Sequence, residues 1–242
     1  MTIISKIKDF QRYLKCKIVR NTKLKQELLL RLALKERGFI PEKLKISIDH
    51  ETGTNYVNGI KLGIKYPDSF YNLAIQLIPE DKFVSLYFNG NMSDSGSRKL
   101  MLEPFFDIKN AIVIESEDGR LQGKKDKFNN DYFQGLANAQ FGLCPHQADW
   151  VGNEDSLWTY RFVECCFVEA IPILFRKAPL SEKFTKNFYL HWDDQILNAA
   201  GSVGISYDKF HARANREKAK ELFCLTDEEL KQIKKTFKRS TR

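Results

Sequence analysis

Arg161 and Glu164 stand three residues apart in the stretch NEDSLWTYRFVECCFVEAIPILF, residues 153–175. On a helix that spacing puts both side chains on one face. A guanidinium can fork onto a pyrophosphate, and a carboxylate can accept protons from both hydroxyls of a ribose. A solvent-exposed pair of this kind is worth under about 1 kcal/mol and carries no function. The neighbours argue against exposure: Phe162, Val163, Phe167 and Val168 make the segment largely apolar, as expected of a helix packed on a sheet.

The elements that must position this pair alternate along the chain. KFVSLYF reads as a buried strand running into Asn89, Gly90 and Asn91, and SRKLMLEPFF as a helix. NAIVIES is the next strand, DYFQGLANAQ a helix, FGLCP a strand, SLWTYRFVECCFVE a helix and AIPILF a strand. Repeated alternation of strand, loop and helix predicts a parallel sheet with helices on both faces. Ligands of such sheets sit beyond the C-terminal strand ends. That rule singles out residues 89–97, 115–120 and 145–156, with the first turns of the helices that follow.

The N-terminal part reads differently. Residues 3–37 are helical by pattern, with Ile4, Ile7, Phe10, Leu14 and Ile18 at helical spacing and a second apolar set from Leu28 to Leu34. Asn21-Thr22 marks a break and a new N-cap, and Gly38 with Pro41 ends the helix. KLKISIDHETGTNYVNGIKLGIKYP alternates, with turns at Thr52-Gly53 and Asn58-Gly59, as in a small antiparallel meander or hairpin. SFYNLAIQLIP fits a short helix or a strand equally well. The tail is mixed and then helical, and Thr226 with Glu229 forms a capping box for the last helix.

The 242 residues, 43% hydrophobic, suffice for one large domain or two small ones. The net charge of +8 is uneven: residues 1–37 hold 11 Lys and Arg against three acidic residues, and residues 209–242 hold 11 against five. A basic nucleic-acid groove would run through the body rather than flank it, so nucleic acid is not an expected partner. Basic flanks fit an anionic surface such as a membrane. The five cysteines are odd in number and show no CxxC spacing, so reduced, buried structural thiols are expected rather than disulfides or a zinc site. No apolar run reaches the roughly 18 residues of a spanning helix. MTIISKIKDF becomes charged too soon for a secretory signal. These features predict a cytoplasmic protein, peripheral at the inner face of a membrane.

FGLCP, then a glycine-containing loop, then TYRFVECCFVEAIPIL resembles the nucleotide-sugar motif of exostosin-type glycosyltransferases. The matching positions are Phe141, Leu143 and Pro145 on the strand, Thr159, Arg161 and Glu164 on the helix, and Ile171, Pro172 and Ile173 on the next strand. LYFNGNMSDSGSRKLML is similar to the family's preceding strand–glycine–arginine segment, with Gly90 and Arg98 in place. The likeness covers about residues 82–195. It departs at Cys165 and Glu169, where the family usually has Ala and Gly, and in a longer, more acidic loop at 146–156.

The resemblance implies a GT-B type transferase. Its Rossmann-like parallel-sheet domain, residues 81–208, would hold a UDP- or GDP-linked sugar. A reduced α+β acceptor-side part with basic helices (1–80) and basic C-terminal helices (209–242) would flank it. The leaving diphosphate would be met by positive side chains and helix N-termini rather than a metal; no Asp-x-Asp appears. Arg98 and Arg161 would bind the pyrophosphate and Glu164 the ribose. Gly90, Asn91, Pro145, Asn153, Ser156, Thr159 and Tyr160 would line the site. The acceptor would be a glycan or lipid-linked sugar of surface polysaccharide or viral glycan synthesis. A general base stays open among Asp49, His50, His146 and Asp149, with Glu117 and Asp118 also on ligand-side loops. With only about 80 residues before the nucleotide half, an inactive nucleotide-sugar-binding or partner-docking module is the alternative, and a homo-oligomer is compatible with either.

Overall fold

The computed structural model describes residues 22–49, 54–92, 97–116, 128–145, 159–175 and 187–240. The expected helical segment before residue 22 lies outside them. A five-stranded sheet dominates: β4 (Val84–Gly90), β5 (Ala111–Glu115), β6 (Ala139–Cys144), β7 (Ile171–Leu174) and β8 (His191–Trp192). All neighbours are parallel, in the order β5-β4-β6-β7-β8. The chain moves outward from β4 to β5, then returns past β4 to β6 and continues the other way. That reversal is the topological switch of a doubly wound sheet, and it falls between β4 and β6. The fold is α/β and compatible with a Rossmann-like domain.

Alternation along the strands explains why both faces are covered. Leu86, Phe88, Phe141, Leu143, Ile171 and Ile173 point to one face, where Leu102 and Phe105 of the α3 (Ser97–Leu102) segment cover them. The other face carries Tyr87 and Cys144 under α4 (Asn130–Ala137) and α5 (Tyr160–Phe167). Gly142 lets α5 lie close to β6, because a Cβ there would collide with Cys165 Sγ. SFYNLAIQ, left open by its pattern, is helix α2 (Asp68–Gln76), which buries Phe70, Tyr71 and Ala74 against α4 and α5. Two boundaries differ from expectation. α4 stops at Ala137 because Ala139 and Gln140 already pair in β6, and α5 stops at Phe167, with Glu169 at φ +57 turning the chain into β7.

The N-terminal part is helix α1 (Thr22–Glu36) and an antiparallel meander of β1 (Ile46–Asp49), β2 (Thr54–Val57) and β3 (Ile60–Leu62). Its apolar face packs with α1 and with α7 (Asp227–Ser240) in a separate cluster around Leu30, Leu34, Val57, Leu62 and Ile233. The capping box of α7 forms: Glu229 accepts from the Thr226 amide at 2.9 Å, and Thr226 Oγ1 accepts from the Glu229 amide at 3.3 Å. Lys65 ties the meander to the corner between α6 (Lys209–Phe223) and α7. Its ammonium donates to Leu222 O at 2.9 Å and Cys224 O at 3.1 Å and pairs with Glu229 at 2.8 Å. No helix among the described residues is long and apolar enough to cross a membrane.

Candidate functional site

The β4–β6 ladder runs only from Val84↔Ala139 to Tyr87↔Gly142. Beyond it β4 continues with β5 as far as Gly90↔Glu115, and β6 continues with β7 as far as Cys144↔Leu174. The two central strands therefore part at their C-terminal ends and open a crevice at the switch point. Gly90 O accepts from the Ser116 amide and so faces β5. Strand alternation then turns the carbonyl of Asn89 toward the crevice, and the carbonyl of Asn91 follows directly beyond the end of β4.

Both of those carbonyls are taken by guanidiniums. Arg161 Nη2 donates to Asn89 O at 2.7 Å, and Arg98 Nη1 donates to Asn91 O at 2.8 Å. Arg161 starts from the first turn of α5, where Thr159 Oγ1 caps the Arg161 amide at 3.3 Å. Its guanidinium crosses to lie 4.2 Å from the centroid of the Phe88 ring. Gly90 is the residue that permits the crossing, since a Cβ there would collide with Arg161 Nη2. Burial works against the Arg161 charge, but Tyr132, Cys144 and Glu164 around it more than offset that and its pKa is raised. Arg161 is 91% buried, yet among the described residues its Nε has no hydrogen-bond partner, and neither has Asn89 Oδ1. Buried donors and acceptors are rarely left so. The same arrangement puts two positive groups and a helix N-terminus at one crevice, which suits an anion.

Glu164 lies one turn further in and is fully buried. Its Oε1 accepts from Tyr66 OH at 2.8 Å and its Oε2 from Tyr132 OH at 2.6 Å. The Tyr66 hydroxyl also lies 3.4 Å from Tyr160 O. The spacing of Arg161 and Glu164 thus puts the first at the crevice and the second between two tyrosines, one from α4 and one from the segment after the meander. Neither tyrosine was singled out by sequence pattern. Tyr132 could have been found from its place in the first turn of an apolar helix; Tyr66 comes from a remote segment and leaves no local signal.

Of the other expected site residues, Gly90, Asn91, Arg98, Thr159 and Arg161 come together at the crevice, and Pro145 is buried directly after β6. Asp49 ends β1 in register with Thr54, on a strand whose Ile46 and Ile48 pack into the α1–α7 cluster rather than against the five-stranded sheet. His50, Glu117, Asp118, His146, Asp149, Asn153 and Ser156 lie outside the described residues. Cys144, Cys165, Cys166 and Cys224 are buried free thiols. Burial pushes Cys165 and Cys166 well above the ordinary thiol range and Cys224 up to about 12, so these three are poor nucleophiles. Among the described residues no group of three His, Cys, Asp or Glu side chains could hold a metal ion.

No family model matches the chain, and no curated protein matches it.

Proposed function

We propose that the chain is a GT-B type glycosyltransferase of the exostosin kind, and that the crevice between β4 and β6 holds the diphosphate of a UDP- or GDP-linked sugar. One observation carries the reading: two guanidiniums, Arg98 and Arg161, are fixed on backbone carbonyls at the C-terminal end of β4, those of Asn91 and Asn89, either side of Gly90. Charge-assisted, pre-oriented donors of this type stabilise an anionic leaving group as charge develops on it. The acceptor is a glycan or lipid-linked sugar, and the basic terminal helices hold the protein at an anionic, cytoplasm-facing membrane surface. The leaving diphosphate needs no metal in this proposal, because the arginines supply the charge.

The tyrosines on Glu164 favour a second reading. For Glu164 to take the ribose, Tyr66 or Tyr132 must release one of its oxygens. A binding module without turnover needs no such step, and needs no base delivered from the strand that Asp49 ends.

Thermal unfolding against UDP, GDP, CDP, TDP and ADP, with EDTA present, tests the binding claim. A ligand at about 100 times its Kd stabilises by about 2.7 kcal/mol, a Tm rise of roughly 5–10 °C for a chain of this size. A single nucleotide standing out supports the donor site and identifies its class. A flat panel removes the claim. Release of free nucleoside diphosphate from the matching sugar donor, with an acceptor glycan present, separates the transferase from the non-catalytic module.

A further inference from the structure

The two edges of the parallel sheet are not built alike. β8 is two residues long and passes at once into a 3-10 turn at Asp193–Gln195. A very short edge strand is one of the ordinary protections against strand addition. β5 is five residues long and is not shortened in this way. Its sequence is AIVIE, with no proline and no lysine in the strand, and β4 pairs with it along its whole length. Ala111 and Val113 pack inward toward Leu86 and Phe88, but on the opposite face Ile112 is 37% exposed and Ile114 43% exposed.

The hydrogen-bonding direction of β5 follows from its neighbours. Asn110 O accepts from the Ser85 amide, and the Ser116 amide donates to Gly90 O. Even-numbered residues therefore bond toward β4. The Ala111 amide is taken by Ile108 O at 3.0 Å, so the groups turned outward are the Ala111 carbonyl and the amides and carbonyls of Val113 and Glu115. Any strand added here must pair with those three residues. We propose that the added strand is β5 of a second copy of this chain, antiparallel about a two-fold axis at Val113.

In that register Val113 exchanges both backbone hydrogen bonds with its symmetry mate, and the Ala111 carbonyl accepts from the partner's Glu115 amide in each direction, four bonds in all. Ile112 then stands opposite Ile114, twice, in the closer non-hydrogen-bonded positions, so four exposed isoleucines cover one another. The charges agree as well. The antiparallel register brings Glu115, at the end of one strand, toward Lys109, in the turn just ahead of the other, and both are exposed in the single chain; opposite charges at the two ends of the join attract. The interface is isologous, so it closes at two subunits. It forms one ten-stranded sheet from two five-stranded ones, with each β4–β6 crevice two strands in from the join. The inference does not depend on the glycosyltransferase reading.

Sedimentation equilibrium on the full chain is the first test, with a mass of twice 28.2 kDa expected. Ile112→Lys/Ile114→Lys, two exposed positions, weakens the dimer on the order of 100-fold or more by placing unpaired charges in the join. Leu222→Lys, exposed elsewhere on α6, leaves it unchanged. Register is read by cysteine pairing. Ile112→Cys and Ile114→Cys chains, mixed and oxidised with a low-molecular-weight disulfide, form the mixed covalent dimer, and each alone does not. A wild-type chain that stays monomeric at millimolar concentration overturns the proposal. So does a dimer that survives the double lysine variant, or one in which no mixed disulfide forms.

Discussion

The two ends of the central sheet both hold buried charge, and they handle it in opposite ways. At the N-terminal ends of the strands the buried charges among the described residues, Lys82 and Glu169, are both partnered. Lys82 donates to Ala137 O and, at 2.9 Å, to Val168 O, so one side-chain nitrogen caps the C-termini of α4 and α5. Glu169, 2% exposed, accepts from Arg216 Nη1 at 2.6 Å, and Arg213 Nε lies 3.6 Å from the same oxygen. Lys and Arg at helix C-termini complement the macrodipole, so this end needs no ligand to account for it. At the C-terminal ends Arg161 is nearly as buried, but part of its donor set and the Asn89 carbonyl oxygen of the side chain remain unsatisfied among the described residues. The fold satisfies the buried charge at one end, and at the other it leaves Arg161 Nε and Asn89 Oδ1 without a partner among the described residues.

That contrast can be broken from either side. Removing both guanidiniums, Arg98→Ala with Arg161→Ala, should lower affinity for the nucleoside diphosphate by about 1,000-fold in calorimetry, as expected for losing two charge-assisted contacts. Gly90→Ala should cost on the order of 10- to 30-fold in the same titration with Tm little changed, because it displaces Arg161 without removing it. At the other end, Glu169→Gln should leave diphosphate affinity at the wild-type value and lower unfolding stability by about 2 kcal/mol, measured in urea, since it removes the buried one of the two carboxylates, Glu169 and Glu217, that hold Arg216. A loss of binding in Glu169→Gln would erase the distinction between the two ends. Glu164→Gln should lower stability by about 1 kcal/mol, by weakening two tyrosine hydrogen bonds, and should affect binding far less than any change at Arg161.

A pH dependence provides a separate check on the N-terminal end. Burial lowers the Lys82 pKa from 10.5 to about 7. Between about pH 7 and pH 10.5 the unfolded chain then binds more protons than the folded one, so the Lys82 contribution to stability rises with pH across that window. Lys82→Met should abolish that rise. Urea midpoints for both chains at pH 6.5, 8 and 9.5 check the sign.

The alternation of strands and helices was legible because buried stretches such as LYF and IPIL are continuous apolar runs, and α5 carries a wide apolar face. The strand order was not, since nothing local to β5 says that the chain will turn back past β4. Arg161 and Gly90 could be picked out by type and position, but the reason they belong together is a collision between a missing Cβ and a guanidinium 71 residues away, which only the packed structure supplies. Glu164 shows the limit of helical spacing as a guide. A residue three positions from Arg161 shares its face, yet the crevice ends within one turn, and what lies beyond is decided by Tyr66 and Tyr132 from two other segments.

The most direct test is a phosphorus-31 NMR titration of UDP and GDP with the wild-type chain and with Arg161→Ala, in EDTA. The account predicts shifted, broadened diphosphate resonances for one nucleotide with the wild type, and a loss of about 100-fold in affinity in the variant. Equal binding to both chains, or to neither, would contradict the assignment of the β4–β6 crevice as a diphosphate site.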